Sequence, residues 1–245
     1  AETSFVRKIN KNTFDIQWYS RNGTKIFLCG HATMVAAHNL FKNGQVAGEQ
    51  INFLYDDGRE QMRVYRKDND EYAMKFTDKA LEKVKDNDAT NADREILAKL
   101  FAGKANIKDM RVNWQEKKYY LFLHDAKAIK KFNADSENLA IIAELTKSGI
   151  TGLFVSAQAD ANDNDNADII SRNFGPAKGI DEDIATGSAH KSAARYWCDT
   201  LSKREINSLQ YSKEKGRLKM ICDDDIVSVQ GKVRSDAAIT LPKNL

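Results

Sequence analysis

Two short segments of the chain carry side chains that could transfer a proton. The first contains His31, whose imidazole changes charge near neutral pH and could hold or relay a proton. The second contains Asp183 and Ser188, which could orient the imidazole and offer a hydroxyl to a ligand. A hydrolase with Ser188 as nucleophile is disfavoured, because TGSAH lacks the G-x-S-x-G turn and capping explains a serine at a helix start. These side chains favour acid–base chemistry on a small molecule.

The same pattern of small residues occurs in both segments. Residues 30–40 read GHATMVAAHNL and residues 187–197 read GSAHKSAARYW, so both fit G-x-A-x-x-x-A-A at an offset of 157 residues (187 − 30). A strand-like run precedes each copy, and the apolar spacing within each copy predicts a helix. Repetition at this distance predicts two similar lobes rather than an array of short repeats.

Each of these two helices would begin at its glycine. The N–H groups of a first helical turn have no partner within the helix and lie at its positive end, so a carboxylate or phosphate can bind there. Glycine lets a ligand approach the backbone. If a pseudo-twofold axis relates the lobes, Gly30 and Gly187 face one cleft and hold one small anion between them. In the alternative interpretation, the small residues serve helix packing alone and His31 merely caps its helix.

Composition limits the function further. The 245 residues are 42% apolar and 30% charged, with a formal net charge of +3. Basic and acidic residues are mixed, which disfavours a nucleic-acid partner, and no apolar run reaches the roughly 18 residues of a membrane span. Three cysteines without a C-x-x-C pair predict free thiols and a cytoplasmic protein. The opening AETSFVRKIN has no features of a signal peptide.

The wider pattern predicts an α+β fold with much antiparallel sheet, because strands and helices do not alternate regularly. The polar loop 160–168 resembles a calcium loop weakly, and we interpret it as a solvated loop. A linker is predicted near 103–108 and a hairpin turn at 223–225. Helices are predicted at 31–41, 91–101, 136–147 and 188–201, and strands at 3–9, 14–19, 50–55, 60–65, 71–76, 111–114, 119–123, 152–157, 168–174, 217–222, 226–232 and 237–241.

LCGHAT at 28–33 and GIDEDIATGSAHKSAARYW at 179–197 resemble the two most specific motifs of the PhzF-like phenazine-biosynthesis proteins, in the diaminopimelate epimerase-like superfamily. The tail from 201, LSKREINSLQYSKEKGRLKM and then VSVQGKV, is also similar. The resemblance implies two similar lobes, each a curled mixed sheet around a central helix, with the active site in the cleft between them. The lobes would be 1–105 with a C-terminal strand at about 236–245, lacking the family's opening strand and helix, and 106–235.

The resemblance also implies an activity. Characterised members are isomerases that move a proton on a small carboxylic acid, cyclic or aromatic-like, without metal or organic cofactor and usually as homodimers. A glutamate in their S-E-T-x-F-V segment is both base and acid, and AETSFV places Glu2 there. His31 and Asp183 would join Glu2 in catalysis, while Gly30, Gly187 and Ser188 would bind substrate. Partial burial would raise the Glu2 pKa to suit this role.

Other chemistries remain as alternatives. Epimerases of the superfamily use two cysteines, but Thr186 stands at the second position, and a hydroxyl is too weak an acid to replace a thiol. Cys29 stands at the first, before a helix start that would lower a thiol pKa, so a Cys29-dependent enzyme and a buried inert thiol both stay open.

The chain also departs from the family pattern. Lys25 stands where the family has Glu, and Glu214 and Lys215 stand where it has Arg and Gly. These changes bear on the substrate more than on the fold. The second hypothesis is therefore a catalytically inactive, dimeric protein of the same fold that binds small carboxylates.

Overall fold

The computed structural model describes residues 2–20, 23–160 and 166–233. Fifteen strands and five α-helices lie in this part of the chain. The helices are α1 (Gly30–Lys42), α2 (Asp88–Leu100), α3 (Ala126–Lys131), α4 (Ser136–Ala143) and α5 (Gly187–Leu201). The strands are β1 (Thr3–Lys8), β2 (Thr13–Tyr19), β3 (Lys25–Ile26), β4 (Gln50–Tyr55), β5 (Glu60–Arg66), β6 (Glu71–Thr77), β7 (Glu82–Lys83), β8 (Ile107–Asn113), β9 (Lys118–Leu123), β10 (Gly152–Gln158), β11 (Ile169–Gly175), β12 (Ile180–Glu182), β13 (Glu205–Gln210), β14 (Gly216–Asp223) and β15 (Ile226–Lys232).

All of these strands belong to one mixed sheet. Its path runs β1-β2-β4-β5-β6-β15-β14-β13-β11-β10-β9-β8-β7, while β3 pairs with β2 and β12 with β11. The pairs β2–β4, β9–β10 and β11–β13 are parallel, and the other described pairs are antiparallel. This confirms the α+β class, with much antiparallel sheet and few helices.

The same succession of elements occurs twice along the chain. β2, β3, α1, β4, β5 and β6 correspond in order to β11, β12, α5, β13, β14 and β15. In both copies the first strand is parallel to the strand that follows the helix, β2 to β4 and β11 to β13. The copies meet where β6 pairs antiparallel with β15. The repeat found in the sequence is therefore a repeat of structure.

The alanines of both motifs fix the central helices in one core. Ala37 of α1 and Ala194 of α5 are fully buried, 157 positions apart (194 − 37). Both belong to a hydrophobic cluster that also contains strands of each copy. Trp18 donates its indole N–H to Thr33 Oγ1 at 3.0 Å, which fastens α1 to β2. Because small side chains let each helix pack closely, the two helix starts are held in fixed positions.

The lobe boundary at 105 stays a prediction, and the elements just before it pack against elements that follow it. β7 pairs with β8, and α2 packs against α4, so both lie with the predicted second lobe. Leu97 and Phe101 belong to the hydrophobic cluster that covers β8 to β10. We therefore propose a boundary before Glu82. The predicted strand at about 236–245 lies outside the described residues, as do residues 161–165 of the polar loop.

Most elements stand where the sequence predicts them. The four predicted helices are present with shifted ends; the third leaves the α-helix at Ala143 and continues as a 3₁₀-helix to Ser148. The predicted turn at 223–225 joins β14 to β15. The predicted linker near 103–108 is a 3₁₀ turn that leads into β8. Four elements were missed: the six-residue α3 and the short strands β7 and β12 are too short to show periodicity, and EINSLQ of β13 is weakly β-prone.

The prediction of three free thiols was wrong for two of them. Cys198 in α5 and Cys222 in β14 form a disulfide, with a sequence separation of 24 residues. A C-x-x-C motif indicates only cysteines that are close in sequence. This pair is brought together by the packing of α5 on β14, so the motif search could not find it. Cys29 is free and buried. The cytoplasmic location stays a prediction. None of the described helices is long and apolar enough to cross a membrane.

Candidate active site

The starts of α1 and α5 lie against each other. A Cβ atom added at Gly30 would stand 3.1 Å from the Cα of Gly187 and 3.4 Å from the backbone N of Ser188. Real Cβ contacts are rarely as short as 3.1 Å, so Gly30 is needed for the close approach of α5, while a Cβ atom at Gly187 would meet the Met74 methyl group at 3.0 Å. Ligand approach and helix packing were the two interpretations of these glycines, and the contact at Gly30 shows that packing is one of its roles.

We expect Gly30→Ala to separate the two helix starts by a few tenths of an ångström. Because the neighbour is backbone, the strain should lower the free energy of unfolding by about 1–3 kcal/mol. Urea unfolding would measure this, and Ala36→Gly, on the same helix but away from the contact, is the control for a change of helix propensity. A Gly30→Ala protein as stable as the wild type would show that the contact is loose.

Both helix starts leave their first N–H groups without a side-chain cap. The N-cap residues, Cys29 and Thr186, make no capping hydrogen bond with their side chains. The backbone carbonyl of Cys29 accepts a hydrogen bond from Thr33 Oγ1 at 2.7 Å, and that of Thr186 accepts one from His190 Nδ1 at 2.8 Å. These two donors are again 157 positions apart (190 − 33). Two helix ends of partial positive charge therefore meet at one place, as an anion requires.

Glu2 lies beside the first of these helix starts. It precedes β1, and Ser4 Oγ in that strand donates to the carbonyl of Ala32 at 3.3 Å, which holds β1 against α1. Glu2 Oε2 is 2.8 Å from His31 Nε2. The Glu2 side chain is 11% exposed and that of His31 39%. The carboxylate thus lines the cleft beside the imidazole.

The charges of this pair differ from the expectation. The hydrogen bond with His31 lowers the pKa of Glu2 and outweighs the opposing effect of burial. The predicted rise of the Glu2 pKa is therefore wrong. Burial alone would lower the pKa of His31, but hydrogen bonds with Cys29 and Glu2 and the charge of Asp183 raise it to about 11. At neutral pH the pair is a carboxylate and an imidazolium.

We expect His31 to stay protonated from about pH 6 to about pH 9, where an ordinary histidine loses its proton. Its raised pKa means that its contribution to stability is complete below about pH 6.5 and disappears only as pH rises towards about 11. The NMR chemical shift of its Cε1–H against pH measures this. Glu2→Gln should move the midpoint to lower pH. A wild-type midpoint near pH 6.5 would contradict the assigned charges.

Cys29 completes a compact group with this pair. Its Sγ lies 3.5 Å from His31 Nε2, and the donor atoms of Glu2, Cys29 and His31 all lie within 4.8 Å of one another. Among the described residues these three could surround a metal ion. Their 2.8 Å N–O distance, however, is shorter than the roughly 3.3 Å between two ligands of tetrahedral zinc. The arrangement suits a shared proton better than a metal, and the absence of a metal or cofactor requirement stays a prediction.

The second lobe contributes a turn that precedes α5. Thr186 Oγ1 donates to Asp183 Oδ2 at 2.6 Å. Gln210 clamps the turn, because its Nε2 donates to the Asp183 carbonyl at 2.5 Å and its Oε1 accepts from the Thr186 N–H at 2.8 Å. The carboxylate of Asp183 thus bonds to Thr186, and it influences His31 through charge rather than as the predicted orienting partner.

One cleft collects all the residues that the sequence singled out. Glu2, Gly30, His31, Asp183, Gly187 and Ser188 line it together, along with Cys29 and Thr186. The sequence analysis missed Lys118, Asn173 and Lys178, which also line it. Asn173 and Lys178 precede the second motif, and Lys118 lies far from it. All three stand in ordinary strand or turn patterns, which gave no signal of a site. Gln210 stood within the similar tail, and that was the only signal for it.

Comparison with known proteins gives this arrangement a family. The family model described as phenazine biosynthesis-like protein matches residues 1–238. The chain belongs to the phenazine biosynthesis-like, or PhzF, family. An uncharacterized isomerase of Pseudomonas aeruginosa is 29% identical over 231 residues, which cover 94% of this chain and 78% of the relative.

Solved structures of the PhzF family share the fold. A PhzF-family protein of Enterococcus faecalis superposes with a TM-score of 0.72 at 25% identity, covering 94% of this chain and 78% of the other. A structure described as a predicted epimerase from Pseudomonas aeruginosa gives 0.69 at 18% identity, covering 99% and 84%. The second likeness concerns the fold alone.

Proposed function

We propose that this PhzF-family chain is an isomerase that moves a proton on a small carboxylic acid, with Glu2 as the group that carries the proton. The observation that supports this most directly is the position of Glu2, buried 2.8 Å from His31 in the cleft where α1 and α5 begin. The isomerase names of relatives that share 27 to 29% of their residues agree with the reaction class.

The reaction divides into two proton transfers. The Glu2 carboxylate accepts a proton from a carbon next to an unsaturated or carboxyl-bearing group, and the C–H electron pair passes into the conjugated system of the substrate. The negative charge then lies close to the N–H groups at Gly30 and Gly187 and to the His31 imidazolium, which stabilise it. Protonated Glu2 returns the proton to another carbon of the same substrate. With its lowered pKa Glu2 is a carboxylate at neutral pH, the form that accepts a proton first, and it is a weaker base than the expected raised pKa would make it.

The alternative of an inactive carboxylate-binding protein shares the cleft and differs at Glu2. A binding protein needs the helix starts and no buried base, and a carboxylate next to a bound anion would weaken binding. Burial of Glu2 against His31 therefore favours catalysis. A homodimer and a cytoplasmic location accompany the proposal as predictions.

Solvent-deuterium exchange tests the proposal. Cyclic and aromatic carboxylic acids are first screened for thermal stabilisation of the protein, because a ligand of the folded state raises its apparent stability. Acids that stabilise it are then incubated with protein in deuterated water and examined by mass spectrometry and NMR. We expect a stabilising acid to gain deuterium at one carbon or to change into an isomer. Stabilising acids that neither exchange nor isomerise would support the binding protein instead.

A further inference from the structure

Two lysines line the same cleft as Glu2. Lys118 is the first residue of β9 and is 7% exposed; its Nζ donates to Asn173 Oδ1 at 3.0 Å. Lys178 lies in the turn after β11, half-buried, and its Nζ donates to the backbone carbonyl of Glu116 at 3.4 Å. Both side chains line the cleft. Neither ammonium has a carboxylate within ion-pair distance among the described residues.

The nearest carboxylates are engaged elsewhere. Glu116 accepts hydrogen bonds from Tyr120 at 2.5 Å and Ser192 at 3.2 Å, and it lies 3.8 Å from the Lys191 ammonium. The Asp183 carboxylate accepts a hydrogen bond from Thr186 Oγ1, and its charge also acts on Lys118. Burial lowers the pKa of Lys118, and burial and then the charge of Lys118 lower the pKa of Lys178 to about 8. Two cations held this way are unfavourable unless an anion joins them.

The local packing directs Lys118 into this position. A Cβ atom at Gly152 would stand 3.1 Å from Lys118 Cε, so the lysine stem occupies the space that a side chain at Gly152 would take. Asn173, which accepts from Lys118, is itself 6% exposed. The Asn173 amide is neutral, so it does not balance the charge of the buried Lys118 ammonium. A bound anion would balance that charge. The cleft has a volume of about 80 Å³, which favours a small ligand.

We propose that Lys118 and Lys178 bind a second acidic group of the substrate, which makes the substrate class a small dicarboxylic acid. One carboxylate lies at the helix starts of Gly30 and Gly187, and the other lies between the two lysines. Calling the bound acid a substrate rests on the proposed function, whereas the anion site itself rests on the positions of the two lysines. Charge-assisted hydrogen bonds from two ammonium groups distinguish a diacid from the monoacid of the same skeleton.

Matched pairs of acids test the site. Phthalate is compared with benzoate, and glutarate with pentanoate, by calorimetric titration. We expect at least one diacid to bind the wild type about tenfold or more tighter than its monoacid. Lys118→Met and Lys178→Met should each remove most of that preference and change monoacid binding much less. Lys117→Met removes an exposed neighbouring charge that does not line the cleft, and it should keep the preference. Phenyl phosphate is titrated in place of phthalate to test whether one phosphate group, rather than two carboxylates, supplies the negative charge that the site binds.

A second measurement needs no ligand. Lys118→Met keeps the apolar stem and removes a buried cation, so its melting temperature without added anions should rise, by roughly 3 °C. If this variant does not fold, Lys178→Met at the half-buried position decides by binding alone. Equal affinity of the wild type for diacids and monoacids would overturn the inference even if monoacids exchange deuterium. Diacid preference without any exchange would leave the anion site standing and refute the isomerase.

Discussion

Replacing Glu2 with glutamine is expected to reduce deuterium exchange into a substrate by about 100- to 10,000-fold, the usual contribution of a positioned acid–base group. Glutamine keeps the size of the side chain and a hydrogen-bond acceptor for His31, but it cannot take a proton from carbon. In this variant the hydrogen bond with Cys29 and the charge of Asp183 still raise the pKa of His31, which favours the protonated form that cannot act as base. The exchange rate, measured by mass spectrometry in deuterated water, gives the effect directly.

Two controls make the Glu2→Gln result specific. The variant should bind its carboxylic acid with an affinity similar to or higher than that of the wild type, because the helix starts are intact and a negative charge has gone. Cys29→Ser removes the thiol next to His31 and should keep most of the exchange activity. If Cys29→Ser abolishes exchange while Glu2→Gln does not, the chemistry belongs to the thiol and the proposed mechanism is refuted.

Gly216→Ala is expected to displace the turn that carries Asp183 and Thr186. A Cβ atom at Gly216 would lie 2.5 Å from Ala185 Cβ and 2.7 Å from the carbonyl oxygen of Ile184, and real atoms do not approach so closely. Gly216 lies opposite Gln210 in the β13–β14 register, so displacement also disturbs the Gln210 clamp. We expect a loss of about 1–3 kcal/mol of unfolding free energy. Exchange activity should fall at least about tenfold, since small misplacements at a site are costly.

Gly231→Ala is the matched control. This glycine lies in the neighbouring strand β15, and a Cβ atom there would meet Met34 Sδ at 3.8 Å, an ordinary contact. The same substitution should leave activity unchanged and alter stability by less than about 1 kcal/mol. Thermal unfolding and exchange rates of both variants provide the comparison. Equal behaviour of the two variants would show that the turn before α5 adapts without loss.

Charge assignments in the cleft illustrate what a residue pattern leaves open. Sequence reasoning gave Glu2 a raised pKa on the ground of burial, because a motif states which residue stands where and not which side chain touches it. Contact with His31 reversed the direction. Lys118 and Lys178 escaped notice for the same reason: each lies in an unremarkable run, and their shared place in the cleft depends on how β9 and the turn after β11 pack.

The sequence by itself determined the two helices that start at glycine, their spacing of 157 residues, the α+β class, the family and the six residues that line the cleft. Local spacing and small residues suffice for the helices, their repeat and the fold class, since these follow from helix periodicity and close packing. The family and the place of Glu2 followed from the resemblance to known motifs. Tertiary structure decided that the glycines touch each other, that Asp183 bonds to Thr186, that Cys198 joins Cys222, and that two lysines line the cleft. Those features depend on distances between residues far apart in the chain, and such distances are set only when the sheet brings β6 to β15 and β11 to β13.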